Sequence, residues 1–394
     1  MPPRLLYFSP YSSGGLADYA HEQANALSGL GIQVTFLTTP NAARAKPVRS
    51  YDCWPLLKNE PTRTTRPSRL ARRLQTARSI LGNARTLEKC IRREGIGSIL
   101  FGAYFEYLAP LWASRLGRLA RSGAVFGSVV HDPLRNFIVG PLWWHRWSTA
   151  CGYSFMREAF IHEPMHLPTV KPMPQLRTTV IPHGPYRFPA ATETRAAVRQ
   201  RLKIPAATEL LLAFGHVRDA KNLDLVLQAM VQRPEFHLLV AGLELGAGQR
   251  PVSYYQQRAA DLKVADRCRW DARHVPEDEI GNYFEAADLV LLTYNAAFRS
   301  ASGVLNTAIQ FRKPCLASSG PSNLRTAVET FDLGIWVEPD SSAAIAAGLD
   351  QWLRRKPAPN WTGYREENSW EKNAALVVER MLGQRTNPHS AALT

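Results

Sequence analysis

The feature that most constrains this chain is an alternation that runs through it twice. Short apolar runs alternate with stretches of helical spacing. In the first series, strands are expected at 5–9, 32–37, 98–101 and 125–130, with a short run at 159–162. Helices fall between them at 16–30, 70–91 and 108–119. The Pro-rich stretch HEPMHLPTVKPMPQL then interrupts the pattern. After Ile181-Pro182-His183-Gly184 a second series begins, with strands at 209–214, 237–241, 267–270, 289–293 and 315–317. Its helices are expected near 223–231, 254–262, 277–287, 302–311 and 343–352. Such alternation implies α/β architecture, with parallel sheets joined by crossover helices. At roughly 100–200 residues per domain, 394 residues suit two domains, the first at 1–183 and the second from 184.

Composition narrows the class. Hydrophobic content of 45% and charged content of 21% are those of a globular protein. The net charge of +15 favours acidic partners: nucleic acid, anionic lipid or phosphorylated substrates. The five cysteines are scattered and form no C-x-x-C, which argues against zinc ribbons and dithiol redox motifs and suits a reducing compartment. The run after MPPR is too short for the apolar region of a signal peptide. No stretch nears the ~18 apolar residues of a spanning helix. The expectation is a cytoplasmic protein, with room for peripheral contact at the inner face of the cell membrane.

Between Arg44 and Arg93 the acids are Asp52, Glu60 and Glu88, against Arg69, Arg72, Arg73, Arg78 and Arg85 among other cations. Leu70, Leu74, Ala77, Leu81, Ala84, Leu87 and Ile91 keep helical spacing, so one face of that helix is core. The opposite basic face is either simply solvated or a patch for lipid headgroups or pyrophosphate.

Four stretches could carry chemistry. Gly215-His216-Val217-Arg218-Asp219-Ala220-Lys221-Asn222 follows a strand and opens a helix. A strand-end glycine lets backbone approach a ligand, and Arg218 with Lys221 stands where helix N–H groups already favour anions. That pairs a planar fork with a point charge, as a diphosphate would require; a helix start with surface cations is the plain alternative. The second stretch, SASGVLNTAIQFRKP, places Ser302, Gly303 and Val304 at another helix start and holds no carboxylate. By the rule for open α/β sheets, both cradles lie at strand carboxyl ends. The third is Ser12-Ser13-Gly14-Gly15-Leu16-Ala17-Asp18-Tyr19, after the first strand. The fourth is Val129-Val130-His131-Asp132-Pro133. There a histidine can bond a sugar hydroxyl, relay a proton or cap a turn, and Asp132 could act as base or orient substrate.

In this order the motifs resemble the two-Rossmann-domain glycosyltransferases of the B fold, most closely the family 4 type. SSGGLADYA looks like that family's glycine loop, IPHGPY its interdomain strand, and FRKPCLAS its G-K-P-V-V-A-S strand. FGHVRDAKNLDLVLQAM, similar to its diphosphate clamp, is the most specific match. Ser369-Trp370 resembles the start of the last helix, so 369–394 would cross back from a nucleotide-sugar domain at 184–368 to an acceptor domain at 1–183.

The resemblance implies two Rossmann-like parallel-sheet domains facing across a cleft. It implies a hexosyltransferase that moves sugar from a nucleotide-diphosphate sugar to an acceptor hydroxyl, retaining, with no metal and no cofactor. The acceptor would be a growing or lipid-linked glycan. Gly15, Gly215, Arg218, Lys221, Ser302, Gly303 and Val304 would hold the diphosphate. His131 would stand near the reacting carbon, and Asp132 or Asp18 would serve as base in an inverting variant. Tyr19 would lie toward the acceptor. Where the family often carries a Glu pair for the donor sugar and ribose, this chain has Arg299 and Thr307.

The segment 135–147 mixes Trp143, Trp144 and Trp147 with cations, and is expected as a loop touching a membrane, a lipid-linked acceptor, or a packed subcore. A nucleotide-sugar epimerase of the same fold and a non-enzymatic anion- or membrane-binding protein are the alternatives. No nucleic-acid module signature is present, so nucleic acid is not an expected partner.

Overall fold

The computed structural model describes residues 2–59, 69–132, 138, 140–246, 248–299 and 301–383. Glu60, Ser300, residues 133–137 and the side chains of Arg69, Leu70 and Arg72 lie outside the described set. Two compact units are present: the described residues of Met1–His183 with Ser369–Thr394, and those of Gly184–Asn368.

The first unit carries strands β1 (Arg4–Phe8), β2 (Gln33–Leu37), β3 (Asp52–Trp54), β4 (Ser98–Phe101), β5 (Val125–Val129), β6 (Glu158–Ile161) and β7 (Arg177–Val180). Its helices are α1 (Gly15–Gly29), α2 (Pro40–Ala45), α3 (Arg69–Glu94), α4 (Ala109–Arg121) and α5 (Leu142–Tyr153). Among the described residues the sheet order is β3-β2-β1-β4-β5-β6-β7, parallel throughout. Leu6 pairs with Ile99 and Leu100 with Gly127, so β1, β4 and β5 form a buried centre. Helices cover the faces of such a sheet, which is why its central strands β1 and β4 are apolar and buried almost throughout. Leu6, Phe8, Phe101, Phe126, Trp112 and Phe155 pack into one core.

The second unit has strands β8 (Glu209–Phe214), β9 (Phe236–Ala241), β10 (Cys268–Asp271), β11 (Leu289–Thr293), β12 (Cys315–Ser318) and β13 (Gly334–Trp336). Helices α6 (Arg195–Arg201), α7 (Leu223–Ala229), α8 (Val252–Asp261), α9 (Glu277–Ala286), α10 (Gly303–Gln310), α11 (Asn323–Thr330), α12 (Ser342–Arg354) and α13 (Trp361–Glu367) surround them. The order β10-β9-β8-β11-β12-β13 is also parallel. Strand periodicity divides the core in two. Leu210, Leu212, Val290 and Leu292 face α9 and α10, while Leu211, Ala213, Leu289 and Leu291 face α7 and α12.

Both units are therefore Rossmann-like α/β domains. In each, the chain leaves the sheet in opposite directions from two neighbouring strands, β1 and β4 in the first, β8 and β11 in the second. Such a reversal opens a crevice at the carboxyl edge.

A last helix, α14 (Trp370–Leu382), packs on the first unit. Ser369 caps it, its hydroxyl accepting from Lys372 N at 3.1 Å. Asn373, fully buried, donates to Tyr19 OH at 2.8 Å and Pro182 O at 2.7 Å, and accepts from Gln23 at 2.6 Å.

Two expectations change here. The segment around Trp143 is no loop: α5 begins at Leu142, with Pro141 as its extended N-cap residue. Pro fixes φ and needs no N–H at a helix entrance. Tyr19, expected toward the acceptor, is packed inside the first unit. It is 0% exposed, and Tyr19, Gln23 and Leu27 repeat every four residues along the buried face of α1. The short elements α2, β3, β7, α6, α11, β13 and α13 lacked a periodic signal of their own.

Candidate functional site: an anion crevice in the second unit and a histidine-rich edge in the first

At the β8/β11 crevice of the second unit, Gly215 has φ +81°, a left-handed conformation that favours glycine. A Cβ built there would stand 3.6 Å from Lys221 Nζ and 3.6 Å from Val304 Cγ2. The two cradles expected from the sequence thus meet at one glycine.

Lys221 ends a 3-10 turn, Asp219–Lys221, and is 6% exposed. Its ammonium donates to Phe214 O. Burial, and secondly the nearby Arg218 guanidinium, push its pKa down to about 7. The turn is tied down on several sides. Thr293 Oγ1 donates to Lys221 O at 2.8 Å, and Asn295 N donates to Ala220 O at 2.9 Å. Asp219 accepts from Tyr255 OH at 2.8 Å and from Arg250 N at 3.1 Å. Asn222, left-handed at φ 52°, donates to Asp340 Oδ1 at 2.9 Å.

Arg218 is half-buried, its Cζ 5.7 Å from the Phe298 ring centroid. Phe298 stacks on Tyr294 at 3.9 Å, and Tyr294 OH lies 2.9 Å from Ser302 Oγ. Ser302 is the N-cap of α10, its hydroxyl accepting from Leu305 N at 3.1 Å. Gly303 and Val304 open the helix, where N–H groups lie outside the helical ladder. A chain of contacts therefore runs from Arg218 to the α10 N-terminus. Two cations, a left-handed glycine and a helix N-terminus make a site for a doubly charged anion. Arg299 is exposed on the loop before α10. Thr307 is 3% exposed and its hydroxyl donates to Gly303 O at 3.0 Å, so it helps shape the helix.

In the first unit, Gly15 is exposed at the start of α1, after Gly14 at φ 79°. Asp18 is paired with Lys46 at 3.0 Å, which limits its freedom to serve as a base. His131 follows β5, and Asp132 beside it is exposed. His131 Nε2 lies 2.9 Å from Gly102 O, and since a carbonyl only accepts, Nε2 carries the hydrogen.

Around Tyr19 stand three histidines and a tryptophan that sequence reading did not assemble. His131, His162, His183 and Trp370 pack edge-on against Tyr19, with centroids 4.5, 5.4, 5.0 and 4.8 Å away. Burial, then the His183 and His131 rings, hold His162 well below the usual histidine range. The available signal was positional: each histidine stands within three residues of the end of β5, β6 or β7, adjacent strands of one sheet. Trp144 is half-buried on α5, flanked by Trp143 and Trp147, which are 64% and 50% exposed.

Two solved structures share this architecture over nearly the whole chain. HepE of Anabaena, in complex with UDP and glucose, is similar with a TM-score of 0.62 and 15% identity, covering 96% of this chain and 95% of that one. Sucrose-phosphate synthase from Thermosynechococcus elongatus gives 0.60 and 16%, covering 96% and 94%. The fold is that of the two-domain B-fold glycosyltransferases.

Residues 194–375 match the family model of the group 1 glycosyl transferases. A D-inositol 3-phosphate glycosyltransferase of Thermobispora bispora is 30% identical over 189 residues, 46% of this chain and 43% of the relative. The chain thus spans less than half the length of the curated relatives it first matches.

Proposed function

We propose that this protein transfers a sugar from a nucleotide-diphosphate sugar to an acceptor hydroxyl on a growing or lipid-linked glycan. The observation that carries the reading is the convergence of Lys221 and Val304 on Gly215, 3.6 Å from its notional Cβ. It builds one diphosphate site from two separate loops. UDP bound to a structural relative makes uridine diphosphate the first nucleotide to test.

In this reading the second unit binds the donor. The α10 N-terminus and Arg218 hold the diphosphate, and Lys221 gains its proton fully when the anion arrives. As the bond from sugar to phosphate breaks, negative charge grows on the leaving oxygen, and these fixed positive groups stabilise it. Arg299 stands where the donor sugar would be read. The first unit binds the acceptor, with His131 held in one tautomer by Gly102 O for contact with the reacting sugar. Retention is the outcome the family resemblance implies, with the leaving phosphate accepting the acceptor proton. Exposed Trp143 and Trp147 support peripheral attachment to a membrane, and no described helix is long and apolar enough to cross one.

The test is incubation with UDP-glucose and a lipid extract containing glycan-bearing lipids, while released UDP and labelled lipid are followed. Release that requires the acceptor supports transfer. Conversion of the sugar without acceptor would instead indicate an epimerase. The anomeric configuration of the product, read by NMR, decides between retention and inversion.

A further inference from the structure

The first unit holds a cavity of about 590 Å³ that the donor site does not involve. One face of α3 forms a wall, through Arg73, Thr76, Ala77 and Ile80, spaced as one helical stripe. Trp144, His145 and Ser148 of α5 form another, and the loop from Glu106 to Leu108, after β4, closes the third side. Carbon atoms make up most of the surface.

Exposure orders this lining from floor to mouth. Glu106 and Ser148 are buried, at 2% and 3%, so they form the floor. His145 is half-buried and Arg73 exposed, so the Arg73 guanidinium stands at the mouth with the imidazole below it. Each wall then continues outward into an exposed apolar side chain. Leu74 lies one turn before Ala77 on α3. Leu111 donates its N–H to Leu108 O, one turn along. Trp143 and Trp147 pack edge-on against Trp144.

Pockets of roughly 300–1,000 Å³ with apolar walls and a few polar groups bury small ligands. A free saccharide would leave this carbon surface unused. An anion at the floor would meet the carboxyl group of Glu106, whereas at the mouth it would meet Arg73 and His145. We infer that the cavity takes the hydrocarbon chain of a single-chain amphiphile whose phosphate head stays at the mouth, as the lipid part of the acceptor. This rests on the first unit being the acceptor-binding unit.

The test is calorimetric titration of the full chain with dodecyl phosphate below its micellar concentration, beside inorganic phosphate and dodecyl maltoside. Dodecyl phosphate should bind saturably and much more tightly than inorganic phosphate. Ala77→Phe, which fills the cavity, should weaken it about tenfold or more. Arg73→Glu, on an exposed side chain that leaves the core untouched, should weaken dodecyl phosphate and spare dodecyl maltoside. Equal affinity in wild type and both variants, or inorganic phosphate binding as tightly as dodecyl phosphate, would overturn the assignment. Uridine diphosphate titrated into the same samples separates the two readings. If it binds while dodecyl phosphate does not, only the cavity assignment falls; if neither binds, the transferase reading falls with it.

Discussion

Gly215 and Lys221 stand side by side in the second unit: a left-handed glycine with no side chain, and a buried ammonium 3.6 Å from where that side chain would begin. The ammonium is held by the carbonyl of Phe214 at the end of the same strand. In the proposed reading, this one loop supplies both the open space for a diphosphate and the charge to meet it.

Gly215→Ala should damage both. Left-handed backbone costs a non-glycine residue about 1–2 kcal/mol, and the methyl enters the crevice. A lower thermal midpoint and weaker UDP binding by calorimetry are expected together.

Lys221 gives a pH signature. Its pKa of about 7 without ligand should rise when a diphosphate binds. Donor affinity is then full below pH 7 and falls as pH rises above it, by up to about tenfold per unit until the bound-state pKa is reached. UDP-glucose is the proper probe, since its diphosphate diester loses no proton in this range. Stability runs the other way. The folded pKa lies below the ordinary lysine value of 10.5, so the unfolded chain binds more protons between the two and stability rises with pH from 7 toward 10.5. Lys221→Met should flatten both profiles.

Asn373→Ala should destabilise the first unit. It strips partners from Tyr19 OH, Gln23 and Pro182 O at once. Buried groups left unsatisfied cost about 1–3 kcal/mol each, so a loss of several kcal/mol is expected in denaturant unfolding.

Trp143→Ser with Trp147→Ser should leave stability nearly unchanged, because both rings are exposed. Co-sedimentation with phosphatidylglycerol vesicles should fall. Unchanged co-sedimentation would remove these tryptophans from any membrane contact.

What could be read in the sequence followed from local rules. Gly215 stands at a strand end and Ser302 just before an apolar helix, so a turn and a cap were legible there. The contacts that hold the site in shape were not. Lys46 meets Asp18 from 28 positions away, and Asp340 holds Asn222 from 118 positions away. Such pairings depend on strand order, which no local pattern encodes. The same limit hid the cluster around Tyr19, built from the segments that follow β5, β6 and β7, and from α14. At α5, three tryptophans beside His145 and Arg146 obscured the helical spacing that Pro141 initiates.

The most direct test of the account is titration of UDP into wild type, Arg218→Ala and Lys221→Ala, with folding verified for each. The account predicts saturable binding by wild type, and a loss of roughly tenfold or more in each variant, since a charge-assisted hydrogen bond contributes about 1.5–3 kcal/mol. Wild-type affinity in both variants would contradict it, because the diphosphate would then be held somewhere else.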